Sequence, residues 1–197
     1  MIRQKGKAVL VAGLAVFALC ACGQSAEEDV TSVKIEKDGT VVNTIIEDFD
    51  ESLYSVDALK NMVLSEAAAF NSSSGEKSIA VDKLEAADGK VTVAMTFAGA
   101  SEYSEFNDKV LFFGTVLEGY EAGLDLDITL TSTQKDGGKI GKEEILNMGD
   151  SYMVILEEPI QVMTPSKIIY ASENVAVLSG NSAKVLDNGE AAYLILK

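Results

Sequence analysis

The 197-residue sequence has no histidine and no tryptophan, one arginine at Arg3, two prolines, and two cysteines, both within residues 20–22. Without histidine, neither a Ser-His-Asp nor a Cys-His nucleophile system can be assembled, and no imidazole can serve as a general base. Zinc, copper and iron sites built from imidazole are excluded on the same ground, and thiolate sites are excluded where neither cysteine stays free in the mature chain, as expected below. Beyond Arg3 no guanidinium is left to clamp a phosphate or carboxylate in bidentate fashion. The glycines of KDGGKIGKEE are not a phosphate-binding Walker loop, because neither Gly-Lys is followed by Ser or Thr and the upstream glycine is missing. No Ser-x-x-Lys stands in a recognisable hydrolase frame.

What is present begins with an address. Residues 1–21 run from a basic start, MIRQKGK, through an apolar stretch at 8–19 to the small residues Cys20 and Ala21, which is the layout of a secretory signal. The 12-residue apolar stretch is shorter than the roughly 18 residues of a spanning helix. Leu19-Cys20-Ala21-Cys22 resembles the bacterial lipobox, with an apolar residue three before the cysteine and a small residue directly before it. The resemblance implies cleavage before Cys22 and a diacylglycerol on its sulfur. Cys20 fits that pattern poorly, since Leu19 would directly precede it. One cysteine then leaves with the signal and the other carries the lipid, so the exported chain has no thiol pair and its stability must come from burial.

Removing 21 of the 197 residues leaves 176, enough for one ordinary core. It also leaves 13 lysines against 31 acidic residues, a net charge of −18. Nucleic acid is a poor partner for such a chain, since neutralising phosphates needs clustered Lys or Arg. An anionic membrane surface repels it as well, so the lipid has to do the anchoring. The expected division is a signal peptide at 1–21, a polar tether at 22–30 and one α+β domain at 31–197. Nine tether residues reach at most about 30 Å.

Two similar units open the domain. SVKIEKDGTVVNTIIEDF reads as a hairpin turning at Asp38-Gly39, a pair that tolerates positive φ. A two-residue turn there puts Val33 and Ile35 on one face with Val42, Thr44 and Ile46. Ser55 then caps a helix with Asp57 in its first turn and with Val56, Leu59, Met62, Val63, Ala67 and Phe70 on one stripe, ending at the serines and glycine of 71–75. The pattern recurs in SIAVDKLEAADGKVTVAMTF, which turns at Asp88-Gly89. Val91, Val93, Met95 and Phe97 alternate there and Leu84 shares their face, whereas Ile79 and Val81 need a bulge near Asp82-Lys83 to join it. A shorter helix capped by Ser101 carries Tyr103 and Phe106.

The remainder is strand-like in KVLFFGTVLE, LDLDITLTS, SYMVILEEPIQVM, KIIYASENVAVLS and AAYLILK. Val154-Ile155-Leu156 lacks alternation, which suits a strand covered on both faces. Pro159 and Pro165 belong at edges or bends, and Asp187-Asn188-Gly189 reads as a last hairpin turn. The expected fold is therefore α+β, a mainly antiparallel sheet with two hairpin-plus-helix units and a strand-rich C-terminal third.

GTVVNTIIEDFDESLYSVDALKNMV and SEYSEFNDKVLFFGTV resemble a family of extracytoplasmic lipoproteins of anaerobic Gram-positive bacteria. In that family a Lys-Asp-Gly hairpin, a Glu-Asp-Phe-Asp segment and a Phe-Asn segment before Phe-x-Gly-Thr recur. The resemblance implies the same location and carries no activity or functional residue with it.

Carboxylates, lysines, serines and tyrosines remain for chemistry. Glu47, Asp48, Asp50 and Glu51 are the densest acidic cluster, and Glu157 and Glu158 the next. A glycosidase needs two acids at a set separation across a cleft, so two of Glu47, Asp50, Glu157 and Glu158 would have to meet. A calcium site needs 6 to 8 oxygens, and the cluster departs from the EF-hand pattern at Ser52 and Leu53. On an extended chain Glu47 lies on the Phe49 face and Asp48 and Asp50 on the other, so no face collects enough oxygens, a solvated connection is expected and no metal or cofactor is assigned. Tyr103, Phe106, Phe112 and Phe113 have the spacing of core residues. The expected function is a non-enzymatic binding or scaffolding role at the cell envelope, performed by a monomer anchored to the membrane through Cys22 and holding an envelope protein or a small ligand. The alternative is an accessory carboxylate-dependent hydrolase acting on glycans.

Overall fold

The computed structural model describes residues 30–74, 78–135 and 137–197. The signal segment, Cys22 and all but the last residue of the tether lie outside them. Among the described residues the chain forms four helices and thirteen strands in two mostly antiparallel sheets, an α+β fold.

Two hairpin-plus-helix units come first: β1 (Ser32–Ile35), β2 (Val41–Asp48) and α1 (Val56–Ser74), then β3 (Ile79–Ala87), β4 (Lys90–Phe97) and α2 (Ala100–Asn107). The second hairpin follows its sequence closely. Asp88 and Gly89 both take positive φ, 53° and 76°, as a type I′ turn demands. Val91, Val93, Met95 and Phe97 are buried, and the pairing slips by one residue between Val81 and Lys83 so that Ile79, Val81 and Leu84 all face the core. That slip is the bulge that the opposite parities called for.

The first hairpin differs from its two-residue reading by a single residue. Only Gly39 has positive φ, and the Gly39 amide donates to the Glu36 carbonyl while the Glu36 amide donates to Thr40, which leaves a three-residue loop at 37–39. Val33 therefore pairs with Asn43 and Ile35 with Val41. The buried face of β2 carries Val41, Asn43 and Ile45 in place of Val42, Thr44 and Ile46, because a shift of one residue reverses every side chain. Asn43 tolerates burial because its amide nitrogen donates to the Ser32 carbonyl at 3.1 Å.

In α1 the Ser55 hydroxyl accepts from the Ala58 amide, as expected of a cap, but Met62 is half exposed and falls off the packed stripe. The helix continues through the serines to Ser74. Gly99, and not Ser101, stands at the start of α2, with no side-chain cap.

The chain then builds the second sheet with β5 (Leu111–Thr115), the short helix α3 (Val116–Glu121), β6 (Leu130–Ser132), β7 (Lys139–Ile140), helix α4 (Lys142–Leu146) and β8 (Tyr152–Leu156). KVLFFGTVLE is thus strand only to Thr115. Thr115 and Glu118 form a capping box that starts α3. LDLDITLTS is strand only in its last three residues.

From β8 the chain weaves between layers. Strands β9 (Gln161–Met163), β11 (Val175–Val177) and β12 (Ser182–Val185) join the first sheet, while β10 (Ile168–Ala171) and β13 (Ala192–Leu196) join the second. The seven-stranded order is β11-β12-β9-β1-β2-β4-β3 and the six-stranded order is β5-β8-β13-β10-β6-β7. The β1–β9 pair is parallel. Pro159 and Pro165 sit in two of the crossings, at bends as expected. Asp187-Asn188-Gly189 lies in a third and is not a hairpin turn, because β12 and β13 belong to different sheets.

One core receives Val33, Val93 and Phe97 from the first sheet and Val154, Leu194 and Leu196 from the second. Helices α1 and α2 add Ala67, Phe70, Tyr103 and Phe106 to it, with edge-to-face contacts in the Phe70–Phe106 and Phe97–Tyr103 pairs and a tilted contact between Phe97 and Phe106. A second cluster lies behind the six-stranded sheet, where Met153, Ile155 and Ile195 meet Val116, Leu126 and Ile145. Strand β8 is therefore buried on both faces, the arrangement that its unbroken apolar run implied.

Candidate functional site

The acidic segment after β2 forms a shallow concavity of about 520 Å³ against the Asp88-Gly89 turn, lined by Asp48, Phe49, Asp50, Glu51, Ser52, Tyr54 and Gly89. The Phe49 amide donates to the Gly89 carbonyl at 2.7 Å, and beyond that point the chain leaves the sheet. Asp50 then organises a turn. Its Oδ1 accepts from the Ser52 hydroxyl at 2.6 Å and the Ser52 amide at 2.9 Å, while its carbonyl accepts the Leu53 and Tyr54 amides. The Ser52 hydroxyl, followed by the Ser52 amide, lowers the Asp50 carboxyl below its ordinary value. Asp50 thus acts on its own backbone as a local cap leading into the Ser55 helix. Among the described residues, no three acidic or thiol side chains come together in a way that could hold a metal ion.

The second pair lies in the crossing from β8 to β9. Glu158 accepts a hydrogen bond from the buried Tyr103 hydroxyl, on the side of the inter-sheet core. Burial, then that hydrogen bond and the Glu158 charge, push the Tyr103 phenol far above its ordinary value. Glu157 lies toward Tyr193, which packs against the outer cluster. Both residues lie past the end of β8, in the segment that leads to β9. Tyr103 and Phe106 pack into the inter-sheet core with Phe113, and Phe112 packs into the outer cluster, so all four aromatics have packing roles.

Another concave site lies elsewhere, toward the β6–β7 edge of the six-stranded sheet. This groove of about 650 Å³ is bordered by Ile128 and Thr129, by Lys139 of β7, by residues 172–174 between β10 and β11, and by Glu190, Ala191 and Tyr193. Lys139 Nζ lies 2.7 Å from Glu173 Oε1. The Ser172 hydroxyl donates to Asn174 Oδ1 at 2.6 Å and accepts from the Tyr193 amide at 2.9 Å. Asn174, 7% exposed, donates in turn to the Glu190 carbonyl and to Asn188. Burial first, then the Asp125 and Glu157 carboxylates, raise the Tyr193 phenol above its ordinary value, so it stays protonated and can donate.

Sequence reasoning missed this groove. Its residues come from four separated segments, and the only local sign was a polar cluster at each of two strand crossings, SEN at 172–174 and DNGE at 187–190. Cys22 lies outside the described residues. No family model, no curated protein and no solved structure matches the chain.

Proposed function

We propose that the chain is a membrane-anchored extracytoplasmic lipoprotein, held by a lipid on Cys22, whose folded part has a non-enzymatic binding or scaffolding role at the cell envelope. One observation carries the anchor: Leu19 three before Cys22 and Ala21 directly before it, at the end of a basic start and a 12-residue apolar run. The position of the first strand is compatible with it. Ser32 opens β1 ten residues after Cys22, and the Thr31 hydroxyl is bonded to both the amide and the carbonyl of Ile46, which fixes the point where the tether meets the sheet. Among the described residues no helix is long and apolar enough to cross a membrane.

Binding is favoured over catalysis by the disposition of the carboxylates. Asp50 is engaged with Ser52 and Glu158 with Tyr103. A retaining or inverting glycosidase needs its two acids facing one another across a sugar. The anchor is tested by growing cells with labelled palmitate. The wild-type chain should take up label and Cys22→Ser should not; equal label in both would overturn the assignment.

A further inference from the structure

Leu53 and Tyr54 are the two most exposed large apolar side chains among the described residues, at 73% and 64%. Single apolar side chains on a surface are ordinary, but these two are adjacent and their segment is pinned at both ends. On one side the Asp50 carbonyl accepts the Leu53 and Tyr54 amides, while Asp50 Oδ1 accepts from the Ser52 amide and hydroxyl. On the other, the Ser55 hydroxyl accepts from the Ala58 amide at the start of α1. The Phe49 and Tyr54 rings stand with their centroids 6.0 Å apart. The turn itself therefore holds the pair out toward solvent.

The place of this tip in the fold says what it faces. Thr31, where the chain enters β1, donates its hydroxyl to the Ile46 carbonyl and accepts from the Ile46 amide, near the end of β2. From there β2 runs on to Asp48, the Phe49 amide bonds to the Gly89 carbonyl, and the tip follows at 53–54. The entry point of the chain and the tip thus lie at the same end of the seven-stranded sheet. Residues 23–30 separate Thr31 from Cys22, a span of at most about 30 Å when extended. A lipid on Cys22 holds this end of the body within that distance of the bilayer. Tyrosine suits such a place, because its ring is apolar and its hydroxyl stays in water. The neighbouring Glu47, Asp48, Asp50 and Glu51 limit the depth to the headgroup layer and favour a zwitterionic surface over an anionic one.

We propose that Leu53 and Tyr54 form a second membrane contact, resting in the headgroup layer of the bilayer that holds Cys22 and setting how the folded body stands on it. This inference rests on the anchor proposed above. The lipid supplies the affinity and the tip supplies the orientation.

The chain has no tryptophan, so one introduced at the tip reports alone. The test uses the full chain extracted from membranes with its lipid and placed in phosphatidylcholine vesicles, with and without phosphatidylcholine brominated on its upper acyl carbons. Bromine should quench the fluorescence of Tyr54→Trp about twofold, as expected of a side chain at the interface. Leu178→Trp should be unaffected, since Leu178 is also half exposed but follows β11 at the opposite end of the same sheet. Leu53→Trp replaces Tyr54→Trp if loss of the Phe49 ring contact disturbs the turn. Exchanging half of the phosphatidylcholine for phosphatidylglycerol should weaken the quenching, and stronger quenching would overturn the contact as drawn. Flotation with the vesicles reads the anchor separately. A chain that does not float overturns the anchor and this contact with it. A chain that floats with both tryptophans equally quenched, or with neither quenched, overturns the contact alone and leaves the exposed pair to a protein partner.

Discussion

The two sheets of this protein are covered differently. The six-stranded sheet is covered on both faces, so Met153, Val154, Ile155 and Leu156 are all buried in succession on β8. The seven-stranded sheet is covered on one, and along β4 buried Val91, Val93, Met95 and Phe97 alternate with half-exposed Thr92, Ala94 and Thr96. Its inner face is filled partly by the other sheet and partly by α1 and α2. The period of the sequence therefore reports how many faces a strand buries, and the crossings between sheets after β8 carry the chain from one regime to the other.

The largest way to break this contrast is to cut a side chain behind the doubly covered sheet. Ile195→Ala removes a fully buried side chain from the outer cluster and should cost about 2–5 kcal/mol. Ile46→Ala, on the half-exposed face of the seven-stranded sheet, should cost about 1 kcal/mol or less. Equal losses in denaturant unfolding would contradict the difference in coverage.

Tyr103→Phe tests the link that Glu158 makes at the β8–β9 crossing. Losing the phenol leaves a partly buried carboxylate without that partner, a loss of about 1–3 kcal/mol. The pH dependence has a definite sign. The folded phenol titrates above the unfolded one, so its contribution is fully present below about pH 10 and is lost as pH rises past the ordinary tyrosine range. Wild-type protein should lose more stability than Tyr103→Phe between pH 9 and 11, on the order of the unfolded tyrosine pKa. Parallel pH profiles would contradict the assignment.

Gly89→Ala should cost about 1–2 kcal/mol, because φ there is 76°. The effect should be local to the second hairpin, visible as faster amide exchange at Ala87 and Lys90. Smallest of all is the expected response to calcium. With Asp50 Oδ1 held by Ser52 and no three-acid cluster among the described residues, millimolar calcium should leave the melting temperature unchanged from that in chelator. A rise of several degrees that Asp48→Asn/Asp50→Asn abolishes would overturn the solvated reading.

Much of the fold was legible in the residues, because the signals were local and agreed with one another. The Asp88-Gly89 turn, the alternation after it and the parity break before it pointed to one arrangement, bulge included. The first hairpin had an equally good Asp-Gly pair, but loop length by one residue decided the register. A buried Asn43 that bonds to Ser32 cannot be distinguished in sequence from an exposed one. Thr115-x-x-Glu118 was a readable helix start, overridden by the apolar run around it. Asp187-Asn188-Gly189 showed that the chain turns and not which sheet it turns into. For the same reason the groove was invisible: Lys139, Glu173 and Glu190 line it together only because the fold brings β7, the segment after β10 and the segment before β13 to one place. The two acidic segments were prominent in sequence, yet Asp50 caps its own turn and Glu158 is engaged by Tyr103.

The proposed lipid on Cys22 would join this folded body to a membrane. Intact-mass measurement of the protein extracted from membranes tests it most directly. The predicted product begins at Cys22 and ends at Lys197, with the mass of a diacylglyceryl group added and residues 1–21 gone. A soluble product cut elsewhere, or one beginning at Cys22 with no added lipid, would contradict it.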